Sequence, residues 1–114
     1  MIKRRSEMQT RVVEGARGGN GCVQFLDLMR EEETLGKLRV VCEITLEKGC
    51  SIGRHPHGPD AEIYIMTQGT AVVDDNGEIS TVSAGDVIYT GGGAFHALAN
   101  EEDKPVKLFA LVIN

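Results

Sequence analysis

Hydrophobic residues in this chain recur at intervals of two, in short runs that stop at glycine, asparagine or aspartate, and helix-period apolar spacing is hard to find after residue 36. The clearest run is Leu38 to Glu47. Leu38, Val40, Cys42, Ile44 and Leu46 share one face of an extended chain, while Arg39, Val41, Glu43, Thr45 and Glu47 share the other, so one side reads as core and the other as mostly polar. Cys22 to Met29, Val87 to Thr90 and Phe95 to Ala99 read as further strands, and residues 8–14 as an edge strand or arm. Glu62 to Thr67 is apolar at both parities apart from Glu62, as a strand buried on both faces would be. Val106 to Ile113 is a longer two-sided apolar strand that calls for cover by another sheet or another subunit. Thr70 to Asp74 and Glu78 to Val82 flank Asp75, Asn76 and Gly77, and Asn-Gly between two such runs predicts a hairpin. Residues 17–21 (RGGNG) predict a loop, and residues 30–36 (REEETLG) are the one place for a helical turn or a solvated charged loop. About eight short strands with frequent turns predict an all-β sandwich or barrel.

Composition narrows the function classes. A chain of 114 residues has room for one core, and we expect a single domain over 1–114, with an N-terminal arm and loop at 1–21 and a β-barrel core at 22–114. Seventeen acidic against twelve basic side chains give a net charge of -5, which disfavours nucleic acid and anionic membrane as partners. The basic start (Lys3, Arg4, Arg5, Arg11) has no aromatic platform beside it and no apolar run after it, so neither a single-strand binder nor a signal peptide is indicated, and a cytoplasmic location is expected. The three cysteines, Cys22, Cys42 and Cys50, form no C-x-x-C pair and read as reduced thiols, with Cys42 on the apolar parity of its strand.

The chemistry-bearing residues are concentrated. All three histidines of the chain, His55, His57 and His96, lie in two glycine-bracketed stretches, Gly49 to Gly69 and Gly85 to Asn100. Side chains two apart in a strand point to the same face, so His55 and His57 can present both imidazoles to one point. Glu62 opens the next strand after a four-residue turn, and His96 can arrive from across a barrel to complete an N3O set. Imidazole nitrogen with carboxylate oxygen suits manganese, iron, nickel, copper or zinc better than calcium or magnesium. Each residue alone is unremarkable, since a lone histidine in a strand is usually structural and a glutamate at a strand start is usually solvated. The conjunction of all four points to one divalent transition metal ion.

The same residues carry a family resemblance. Gly49, His55, His57, Glu62 and Gly69, followed by Gly85, Gly93, His96 and Asn100, resemble the two signature motifs of the cupin superfamily at every fixed position but one. Gly91 stands where that family usually has proline, which predicts a looser approach to His96. The resemblance implies a double-stranded β-helix, or jelly roll, with the metal held by His55, His57, Glu62 and His96, often in a homodimer. Small cupins likened to oxalate decarboxylases and oxidases favour manganese or iron, with zinc or nickel as alternatives. Counting by twos from Glu62 and His96 adds Tyr64, Met66, Leu98 and Asn100 as candidates for binding a small-molecule ligand, with Tyr89, Arg54 and Asp60 as second-tier candidates. The expected function is a metal-dependent oxidoreductase, decarboxylase, dioxygenase or isomerase acting on a small anion. A module that binds or senses such a ligand without chemistry is the alternative, because few groups suited to proton transfer are in sight.

Overall fold

A computed structural model describes residues 1–114 as ten strands in two antiparallel sheets. The strands are β1 (Gln9–Glu14), β2 (Cys22–Met29), β3 (Leu38–Leu46), β4 (Ser51–Pro56), β5 (Ala61–Gln68), β6 (Thr70–Asp75), β7 (Glu78–Ser83), β8 (Val87–Gly91), β9 (Phe95–Ala99) and β10 (Val106–Ile113). One sheet has six strands in the order β1-β2-β3-β10-β5-β8, the other four in the order β4-β9-β6-β7. Neighbours in each sheet are mostly distant in sequence, as in the jelly roll that the cupin resemblance implies. The expected helical turn is a 3₁₀ turn at Glu31–Thr34. Residues 8–14 do not form a free arm: β1 pairs with β2 from Gln9 opposite Asp27 to Glu14 opposite Cys22.

The core lies between the sheets. Val23, Cys42, Ile44, Leu46, Leu108 and Ala110 project inward from the six-stranded sheet and meet Ile52, Ala71, Val73 and Leu98 from the other. The alternation read along β3 therefore selects the inward face, with Cys42, Ile44 and Leu46 buried. The hairpin of β6 and β7 turns on Asn76 (φ 51°) and Gly77 (φ 95°), a pair of positive φ values that asparagine and glycine tolerate best. β5 departs from the expectation of burial on both faces. Glu62, Tyr64 and Met66 are buried, but Ile65 is 37% exposed, because the four-stranded sheet covers only the inner face of the six-stranded one.

One irregularity positions the site. β4 pairs with β9 as Ile52 opposite Leu98 and then as His55 opposite His96, so three steps on β4 match two on β9. Such a bulge inverts the side-chain parity of the strand. Ile52 and His55, an odd number of residues apart, both point inward, and Arg54 points to solvent. The bulge is what aims His55 and His57 into the barrel.

Candidate metal centre

Glu62 reaches the centre from β5 of the six-stranded sheet, whereas His55, His57 and His96 come from β4, the residue after it, and β9 of the four-stranded sheet. The site thus bridges the two sheets. One ligand atom from each residue lies within 4.8 Å of the other three, and all four residues are buried. Glu62 Oε1 is 2.9 Å from His96 Nε2, 3.0 Å from His57 Nε2 and 3.7 Å from His55 Nε2. His55 Nε2 and His96 Nε2 are 3.0 Å apart.

The far side of each ring is held separately. His55 Nδ1 lies 2.8 Å from the Gly53 carbonyl oxygen, His57 Nδ1 lies 3.2 Å from Asp60 Oδ1, and His96 Nδ1 lies 2.8 Å from Thr90 Oγ1. A carbonyl and a carboxylate can only accept, so the Nδ1 atoms of His55 and His57 donate and carry the protons. Their Nε2 lone pairs then face the Glu62 oxygen and the third ring. Without a proton or a cation between them, that arrangement is a cluster of mutually repelling lone pairs in a buried site. The donor set therefore fits a divalent transition metal ion, with outer partners that fix ring orientation as in metal-ligating histidines generally.

The protonation of the carboxyl agrees. Burial pushes the Glu62 carboxyl up, but hydrogen bonds and positive charge from imidazoles that carry an added proton, His55 and His96 foremost, hold the group down to about 2, and a metal cation in place of those protons favours the same carboxylate form. Tyr64 stacks on His96 at 4.7 Å between ring centroids and 13° between planes. Its phenol lies well above the usual tyrosine range, first through burial and then through the charge of Glu62, while the positive charge of Arg17 works in the opposite direction.

Beside the donors lies a cavity of about 380 Å³. His55, His57, Glu62 and Tyr64 line it, together with Asp60 and Arg39. The remaining wall comes from β1, β2, β3 and β10, largely as Val13, Phe25, Val40 and Val112.

Of the pocket residues expected from strand parity, Tyr64 lines the cavity and the other three do not. Met66 and Leu98 point inward as the parity requires, but both are sealed in the core. Asn100 clamps the loop after β9 instead: its Nδ2 donates to the Leu46 and Lys104 carbonyls, and its Oδ1 accepts from the Glu102 amide. Tyr89 is 64% exposed on the outer face, and Arg54 pairs with Asp74 at 2.6 Å and lies over the Phe95 ring. Asp60, a second-tier candidate, is the partner of His57. The triple-glycine loop is tied to the donor strands by hydrogen bonds. His57 N donates to Ala94 O and Gly93 N to His57 O, both at 2.9 Å, while Thr90 holds the His96 ring. At Gly91 a Cβ would stand 2.9 Å from the Ala61 Cβ, so the residue is fitted closely against β5.

Residues 42–113 match the Cupin_2 family, described as Cupin domain. This chain belongs to the cupin family. The cupin is 33% identical over 113 residues to an oxalate-binding protein of Thermotoga maritima, covering 99% of this chain and 93% of the relative. It also superposes on the crystal structure of a predicted oxalate decarboxylase from Thermotoga maritima with a TM-score of 0.94 at 33% identity, covering 99% and 98% of the two chains. A sugar phosphate isomerase of the cupin superfamily from Silicibacter pomeroyi shares the fold alone, with a TM-score of 0.79 at 21% identity over 100% of this chain and 76% of that one. No helix of the cupin is long and apolar enough to cross a membrane. The matched segment begins within β3, so β1, β2 and the loop between them, which close the cavity, lie outside it.

Proposed function

We propose that this cupin holds one divalent transition metal ion, manganese or iron in preference to zinc or nickel, through His55, His57, Glu62 and His96, and that it binds a small carboxylate there. The observation that carries the reading is the convergence of three Nε2 atoms and one carboxylate oxygen within 4.8 Å, with the opposite ring nitrogens tied to Gly53, Asp60 and Thr90. A bound metal supplies a Lewis acid that accepts and polarises carboxylate oxygens. The chain's own groups orient and enclose the ligand. Tyr64 holds its proton at neutral pH and can donate a hydrogen bond, and the apolar wall excludes water.

Binding is the favoured reading over proton-transfer catalysis. Asp60 is committed to His57 and Arg39, and no further carboxyl or histidine outside the donor set lines the cavity. The likeness to an oxalate-binding protein points to oxalate or a related dicarboxylate as the ligand class. The likeness to a predicted oxalate decarboxylase supports a second reading, metal-dependent decarboxylation or oxidation of the same ligand.

Elemental analysis of the protein, as purified and after reconstitution, is expected to find about one transition metal ion per chain, lost in His57→Ala. Only trace metal in both preparations would overturn the metal centre. Oxalate binding by calorimetry without carbon dioxide release or oxygen uptake supports the binding reading. Turnover lost in His57→Ala supports the enzyme. We further propose that two copies associate through the outer face of the six-stranded sheet.

A further inference from the structure

Three arginines, Arg11, Arg17 and Arg39, line the cavity beside the metal centre, against two carboxylates, Asp60 and Glu62. Two of the three are occupied. Arg11 forks onto Asp27 at 2.7 and 2.9 Å and stacks over Phe25, and Arg39 pairs with Asp60 at 2.8 Å while also reaching Asn114. Arg17 makes no side-chain hydrogen bond or ion pair, and it lines the same cavity as the Tyr64 phenol.

The backbone at Arg17 is built with unusual care. Arg17 is left-handed, at φ 53° and ψ 30°, a conformation that costs a non-glycine residue about 1 kcal/mol or more and persists only where the surroundings enforce it. The loop is enforced from both sides. Gly15 N donates to Gly21 O and Gly18 N to Gly15 O, both at 2.9 Å, and the Asn20 amide donates to Ser51 Oγ at 2.8 Å. A Cβ on Gly53 would collide with the Arg17 carbonyl oxygen, so the loop is seated directly on the β4 bulge that aims His55. The backbone of Arg17 is thereby fixed relative to the donor strands, while its side chain is exposed and lines the same cavity as Val13, Ile52 and the donors.

We propose that Arg17 pairs with the anionic group of the ligand that lies away from the metal centre, and that the ligand is a dianion with an apolar segment between its charged ends. This deepens the carboxylate-binding reading and rests on it. Oxalate has no apolar segment and would leave most of a cavity of about 380 Å³ unfilled. A dicarboxylate with several methylene groups matches a metal at one end, an aliphatic wall, and a guanidinium at the other.

Calorimetry on the manganese-reconstituted protein tests this with three probes: glutarate, pentanoate, which lacks the second carboxylate, and oxalate. Glutarate is expected to bind the wild type at least about tenfold tighter than pentanoate, the range of a hydrogen bond to a charged group. Arg17→Gln should erase that advantage and leave pentanoate, oxalate and metal content unchanged. Arg17→Gly, which suits the positive φ, should lose glutarate to the same extent, so that the loss cannot be assigned to unfolding. Glutarate binding unaffected by either variant, or pentanoate and glutarate equal in the wild type, overturns the role of Arg17. If glutarate depends on Arg17 but oxalate does not bind, the inference stands and the oxalate reading falls.

Discussion

Asp60 shows how a residue outside the donor set governs it. Its carboxylate accepts from His57 Nδ1 and is itself held by Arg39, so it fixes the ring and keeps Nε2 directed at the centre. Burial pushes the Asp60 carboxyl up, but the His57 hydrogen bond and charge and the Arg39 charge hold it below the ordinary value. Asp60→Ala is expected to weaken metal affinity about 10- to 100-fold, measured by competition with a chelator, while the fold persists. Cys42 is a different residue-scale case. Burial, with the nearby Asp27 and Glu62 charges, pushes its thiol up to about 12, so the neutral form is favoured in the folded state. The unfolded thiol ionises lower, so this contribution to stability is fully present below the unfolded pKa and falls away as pH rises towards 12. Denaturation midpoints from pH 9 upward should decline more steeply in the wild type than in Cys42→Ala. A thiol reagent at pH 8 should find Cys22 and Cys50 in the folded protein and all three thiols after unfolding, since Cys42 alone is buried.

At the scale of the element, the bulge in β4 carries the site. Sequence parity places His55 and His57 on a common side, and it says nothing about which side that is. Ile52 is inward and three residues before His55, so a regular strand would send both imidazoles to solvent. The irregularity between Ile52 and His55 reverses this, and the Gly53 carbonyl then accepts from His55 Nδ1. Gly53 also admits the loop of Arg17 and Gly19 against β4, where a methyl group has no room. Gly53→Ala is therefore expected to cost about 1–3 kcal/mol of stability, read from denaturant unfolding, and to lower metal affinity by displacing His55. Unchanged unfolding and unchanged metal binding would show that the close approach has no such role.

For the whole molecule, the uncovered sheet face is the main open surface. Phe109 and Leu111 of β10 lie beside Ile65 and Ile63 of β5, and these beside Val87 and Tyr89 of β8, with Val87 and Tyr89 61% and 64% exposed. Light scattering is expected to read about twice the 12.3 kDa chain mass, and Ile65→Lys to shift it towards the monomer with the metal site intact. A wild-type monomer would count against association through this face. The sequence by itself determined the alternating strands, the Asn76-Gly77 hairpin and the cupin motifs that hold His55, His57, Glu62 and His96, because strand parity, turn chemistry and motif spacing are local properties of a chain. Parity also put Tyr64, Met66 and Leu98 on the inward face, but not at a depth, and only the packing of two sheets decided that Tyr64 meets the cavity while Met66 and Leu98 fill the core. The contacts of Thr90 and Asp60 with the donor rings, and the presence of Arg17 in the cavity wall, were likewise decided by tertiary structure, since each depends on which distant strand or loop is brought against the donors.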